Sequence, residues 1–193
     1  MKNIILNILE DSIEAKRRCI ENSIDNIIKA ADMLAACLTR GNKILIFGNG
    51  GSAADAQHLA AEFVNRFQIE RPPLAAVALT TDTSILTSIG NDYQFDDIFS
   101  KQVEALGRQG DIAWGISTSG NSANVIQAIK AARKIGMSTI GMTGRAGELA
   151  GCVDLVFGVA SDVTARIQES HITLGHIFCD LLERKLYPNE FRD

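Results

Sequence analysis

Apolar residues between Ile4 and Leu38 recur at helical spacing, with Ile5, Ile8, Leu9, Ile13, Ile20, Ile24, Ile27, Ile28, Ala31 and Leu34 forming a stripe. The pattern predicts one long helix, or two joined near Asn22, with Gly41 as the stop. The period then changes. Lys43–Phe47 is short, apolar and β-branched, as a strand buried on both faces should be, and it runs into Gly48-Asn49-Gly50-Gly51-Ser52. Ser52 is placed to cap a helix from Ala53 to about Phe67. Leu74–Leu79 reads as a second strand, Thr83–Ile89 and Phe95–Leu106 as helices, Asp111–Ile116 as a third strand and Ala123–Ile135 as its helix. Ser138–Met142 and Asp154–Val159 supply two more strands, and a last helix runs from about Val163 to Leu186, ahead of Pro188.

Strands that alternate with helices predict a parallel sheet covered on both faces. The expected fold class is therefore α/β: a three-layer sandwich with a central five-stranded parallel sheet and long N-terminal and C-terminal helices. A chain of 193 residues with 46% hydrophobic content is sized for one domain, taken here as residues 1–193.

Composition narrows the partners. Nineteen basic against 23 acidic residues give a net charge of -4 without long runs of either sign, which points away from nucleic acid. Cys19, Cys37, Cys152 and Cys179 are scattered and form no CxxC pair, arguing against a disulfide framework or a cysteine zinc site and for a reducing compartment. The early apolar run is broken by Asn7, Glu10 and Asp11, unlike a signal peptide, and no apolar stretch approaches the roughly 20 residues a membrane span needs. A cytoplasmic location and no membrane partner are expected.

Two loops follow strands where parallel sheets bind ligands. Gly48–Ser52 lets backbone approach a ligand closely, and Ser117-Thr118-Ser119-Gly120-Asn121-Ser122 offers four hydroxyls at a helix start, donors suited to phosphate. Neither has the spacing of a nucleotide-binding P-loop or GxGxxG turn, and either alone could be an ordinary tight turn. His58 and Glu62 share a helix face at i and i+4, and Gln168 and His176 stand eight apart on the last helix, about 80° around its axis. These four could bind zinc or a similar divalent ion, or move protons in an aldose–ketose isomerisation. Spacing alone equally allows a surface His–Glu pair and an ordinary helical histidine, which is also the reading for His171. Asn91-Asp92 could bond sugar hydroxyls or simply end a helix.

Four ordered motifs extend the reading: Phe47 to His58, Gly90-Asn91-Asp92, Gly115 to Val125, and Arg166-Ile167-Gln168-Glu169. Together they resemble the sugar isomerase (SIS) domain family, and within it the phosphoheptose isomerases. The resemblance implies conversion of D-sedoheptulose 7-phosphate to D-glycero-D-manno-heptose 7-phosphate through an enediol, at the start of nucleotide-activated heptose synthesis for lipopolysaccharide or other surface glycans. It implies that Ser117, Thr118, Ser119 and Ser122 hold phosphate while Asn49, Gly50, Gly51, Ser52, Asn91, Asp92 and Gln168 line the sugar site. Glu62 would be the base and His176 its acid–base partner, and His58, Glu62, Gln168 and His176 match the family's zinc ligands, one ion per subunit. A homotetramer is implied, with the helical segment of about residues 1–40 in the interface. Thr164 and Ala165 stand where relatives can carry an acidic residue. The alternative is a non-catalytic member of the same fold that binds a replication-initiator protein; a transcription regulator would need a helix-turn-helix domain for which the chain has no room.

Overall fold

The computed structural model describes residues 1–191. Five strands form one parallel sheet: β1 (Ile44–Gly48), β2 (Ala76–Ala78), β3 (Ile112–Ser117), β4 (Ser138–Thr143) and β5 (Leu155–Gly158), in the order β2-β1-β3-β4-β5. The α-helices are α1 (Lys2–Glu21), α2 (Ile24–Thr39), α3 (Gly51–Val64), α4 (Thr83–Asp92), α5 (Ser100–Leu106), α6 (Ala123–Ile135) and α7 (Thr164–Leu186).

Alternate strand residues feed two cores, as period-2 side chains must. Ile44, Ile46, Ile112, Trp114, Ile116, Ile140 and Met142 pack with α2, α3 and α7, while Leu45, Phe47 and Ala113 pack with α5 and α6. All residues of β1 and β3 are buried, which explains their unbroken apolar runs.

Several element boundaries differ from those predicted. The N-terminal stripe is two helices, parted at Asn22-Ser23. β2 is only three residues, since Pro72 and Pro73 precede it and it lies at the sheet edge. The segment 95–106 splits into a 3-10 turn, Phe95–Asp97, and α5, with Ser100 Oγ donating to Asp97 O at the junction. α4 runs on to Asp92, so Asn91 and Asp92 are its last residues rather than a turn beyond it. Ser52 does not cap α3. Gly50 is the N-cap, because its φ of 55° turns the chain one residue earlier and leaves Ser52 buried in the first helical turn.

α7 tracks α3 in the same direction. Gln168 lies on Gly51, Gly175 on Leu59 and His176 on His58, and Glu183 reaches the segment that leaves the end of α3. The approach is close because Gly175 has no side chain: a Cβ there would sit 2.5 Å from Leu59 Cδ2.

Candidate active site

β1 and β3 are neighbours whose following helices lie on opposite faces, so the loops after them flank the switch point of the sheet. At Gly48 a Cβ would lie 2.7 Å from Ile116 O, so only glycine lets these strands stay paired there. Asn49 and Asn124 exchange amide hydrogen bonds, both at 2.9 Å, tying the first loop to the start of α6. Asn124 is buried, and its Oδ1 also accepts the N–H of Val125.

In the second loop Ser117 Oγ lies 2.8 Å from Ser122 Oγ and 3.3 Å from Ser119 Oγ, and Ser119 Oγ accepts the N–H of Asn121. Ser122 is the N-cap of α6, yet its hydroxyl makes no bond to the helix, and the first turn holds no acid. The N–H groups of Ala123 and Asn124 and the positive dipole end therefore stay available to an anion, the Val125 N–H being taken by Asn124 Oδ1. Gly120, at φ 68°, passes so close to the β4–β5 connection that a Cβ would meet Ala146 O at 2.5 Å. Gly144 N donating to Thr118 O and Leu149 N donating to Gly120 O brace the loop from that side. A cleft of about 310 Å³ opens beside it, lined by Thr118, Ser119, Arg145, Ser161 and Thr164.

On the α3–α7 seam, His58 Nε2 is 2.8 Å from His176 Nε2 and 3.4 Å from Glu62 Oε1. Two imidazoles sharing one hydrogen bond need one ring nitrogen as donor and the other as acceptor. Burial, with His58 adding to it, lowers the pKa of His176, while Glu62 opposes the shift. A half-buried imidazole thus shares one cluster with a half-buried carboxylate, a pairing suited to moving protons.

The remaining expected residues lie elsewhere. Gln168 is eight residues before His176, about 12 Å of helix rise, and its amide packs on Gly51, where a Cβ would be 2.8 Å from Gln168 Cδ. His58 is likewise seven residues, about 10 Å, along α3 from that point. One chain therefore carries two clusters: both loops with Gln168 at the carboxyl edge of the sheet, and His58, Glu62 and His176 farther along the seam. Asn91 and Asp92 are exposed, bonded to each other at 2.8 Å, and neither bonds to either loop. His171 is buried, its Nε2–H donating to Thr143 O, as expected of a core histidine.

Among the described residues, no group of three or more His, Cys, Asp or Glu side chains is laid out to hold a metal. His58, Glu62 and His176 are donors of the kind zinc takes, but their 2.8 Å Nε2–Nε2 contact is a hydrogen-bond spacing. Two ligands of a tetrahedral zinc, each bonded at about 2.0–2.1 Å, stand about 3.3 Å apart. The donor set fits the ion in kind once the rings turn slightly apart.

Sequence reasoning passed over Asn124, Phe67, Arg71 and Glu183. The one visible signal was Glu183, a carboxylate on the apolar stripe of Phe178, Cys179 and Leu182.

Residues 9–144 match the family model described as the SIS domain. The chain belongs to the SIS domain family. Within that family it is similar to the phosphoheptose isomerase of Nitratidesulfovibrio vulgaris Hildenborough, 55% identical over 94% of this chain and 89% of the relative. Among solved structures, this SIS domain superposes on a phosphoheptose isomerase from Neisseria gonorrhoeae with a TM-score of 0.88 and 50% identity, covering 94% of this chain and 98% of the other. It superposes on one from Francisella tularensis with a TM-score of 0.90 and 40% identity, covering 94% and 97%. The initiator-binding alternative gains no support from these likenesses.

Proposed function

We infer that this chain is a sugar-phosphate isomerase that converts D-sedoheptulose 7-phosphate to D-glycero-D-manno-heptose 7-phosphate, the first step toward nucleotide-activated heptose. The observation that carries the reading is the 55% identity to a phosphoheptose isomerase across 94% of the chain. The His58–Glu62–His176 cluster and the hydroxyl loop at the α6 N-terminus supply the chemistry such a reaction needs.

Ser117, Thr118, Ser119 and Ser122 hold the phosphate with the α6 amides, and Asn49, Gly50, Gly51, Ser52, Asn91, Asp92 and Gln168 line the sugar. The Glu62 carboxylate takes the proton from the carbon beside the carbonyl, and His176 protonates the carbonyl oxygen, giving the enediol. His176 then removes the proton of the neighbouring hydroxyl as Glu62 returns a proton to the other carbon. A zinc ion held by His58, Glu62 and His176 would polarise the carbonyl as a Lewis acid.

The two clusters stand about 10 Å apart along α3, a distance one extended seven-carbon sugar phosphate can bridge, and the site is proposed to lie at a contact between copies, as the family resemblance implies. α1 offers a surface for such association, with Ile4, Ile5, Leu6, Ile8, Leu9 and Ile13 all 40% exposed or more. The proposed assembly is a homotetramer in the cytoplasm; no described helix is long and apolar enough to cross a membrane.

Purified protein should turn over sedoheptulose 7-phosphate, and Glu62→Gln and His176→Gln should each lower kcat by about 100- to 10,000-fold with fold and assembly kept. Wild-type turnover in both variants would sink the mechanism. Chelation that leaves turnover intact would remove the metal from it.

A further inference from the structure

Arg71 and Glu183 form an ion pair in which both side chains are 1% exposed, Arg71 Nε donating to Glu183 Oε1 at 2.9 Å. Such a pair is weak evidence for stability, since apolar residues of similar volume often serve as well. Its connections say what else it does. Arg71 donates to Glu62 O, Phe63 O and Asn65 O, serving as the cation at the C-terminal end of α3, whose last turn has no basic residue. Glu183 accepts the backbone N–H groups of Phe67, Gln68 and Ile69, so the segment leaving α3 is fixed to α7. Burial would raise the Glu183 carboxyl pKa, but the Gln68 and Phe67 N–H groups and the Arg71 guanidinium outweigh it and hold the pKa below the ordinary value.

The outcome is the placement of one ring. Phe67 packs on the His176 imidazole with centroids 5.4 Å apart and planes at 32°, and His58 contacts the same imidazole at 5.0 Å. We propose that Phe67 is a positioning residue for His176, and that the Arg71–Glu183 pair acts through Phe67 by pinning its backbone to α7. The inference rests on the reading of His176 as the acid–base group. Phe67 is half-buried and packs at the margin of the core, so leucine can replace its ring while keeping most of the apolar volume.

The test is steady-state turnover of sedoheptulose 7-phosphate by assembled Phe67→Leu, Phe67→Tyr and His176→Gln, with melting temperature and sedimentation measured alongside. Phe67→Leu should lower kcat on the order of tenfold at unchanged KM, as a displaced catalytic group does. Phe67→Tyr, which keeps the ring, should restore most of it. Wild-type kcat in Phe67→Leu, a change confined to KM, or equal loss in Phe67→Tyr would overturn the proposal. Should His176→Gln be inactive while Phe67→Leu is wild-type, the positioning role alone fails; full activity in His176→Gln removes the acid–base reading and this inference with it.

Discussion

Gly175→Ala places a methyl group into the α3–α7 seam beside His176, 2.5 Å from Leu59 Cδ2, 3.0 Å from Cδ1 and 3.2 Å from Cγ. Relaxed carbon contacts need about 3.5–4.0 Å, so about 1 Å of separation has to be found. Leu59 is 0% exposed and cannot turn into solvent. Overpacking of this kind costs about 1–3 kcal/mol, whereas alanine in place of a mid-helix glycine returns about 1 kcal/mol. The net of about 0–2 kcal/mol should lower Tm by less than about 8 °C in a chain of this size. Activity should suffer far more, because pushing α7 from α3 draws His176 away from His58 and Glu62, and a displacement of about 1 Å can cost on the order of 100-fold. The assay is kcat and Tm for Gly175→Ala, Leu59→Ala and the double variant. Leu59→Ala removes all three crowded atoms, so the double variant should recover kcat relative to Gly175→Ala and be more stable than the sum of the single effects. Strict additivity, or wild-type kcat in Gly175→Ala, would show that the helix spacing does not set the geometry of the trio.

Two further outcomes test separate parts of the structure. Ser119→Ala with Ser122→Ala removes two donors proposed for a charged phosphate, each such bond contributing about 1.5–3 kcal/mol, so KM should rise by about 100-fold or more at similar kcat; unchanged KM in the double variant would disprove the phosphate assignment. His171 has its pKa lowered to about 4, first by burial, with the bond to Thr143 opposing, and its Nδ1 is buried without a partner. The folded state therefore binds this proton less readily than the unfolded chain, whose histidine titrates near 6.5. Stability should be complete above that pH and decline as pH falls from about 6.5 toward 4. His171→Gln should show a shallower decline in Tm across that range; an identical slope would mean the histidine is not the group responsible.

The fold was readable because local spacing alone separates its elements. Lys43–Phe47 and Asp111–Ile116 are unbroken apolar runs because both faces of β1 and β3 are covered, and that covering is what the run encodes. His58 and Glu62 at i and i+4 did meet, since a helix fixes that geometry. What escaped depends on which distant elements touch. Asn49 and Asn124 are 75 positions apart, and Arg71 and Glu183 are 112 apart. No periodicity links them. Gln168 and His176 share a helix side, as their spacing suggested, yet α7 runs alongside α3, so each meets a different turn of it.

That parallel seam concentrates local costs. It carries a helical glycine, worth about 1 kcal/mol against alanine, and a buried ion pair that apolar residues could replace. On α3 the Oδ2 of Asp55 is buried without a partner, and burial raises the pKa of its carboxyl. Stability alone would remove each of these, and costs gathered on one surface are expected where geometry serves function. Gly175 and Leu59 set how near the two helices come, and Arg71 with Glu183 fixes the segment at their far end, so His176 is constrained from two directions. Substitutions that make this seam more stable, such as an apolar pair of similar volume in place of Arg71 and Glu183, should therefore raise Tm and lower kcat.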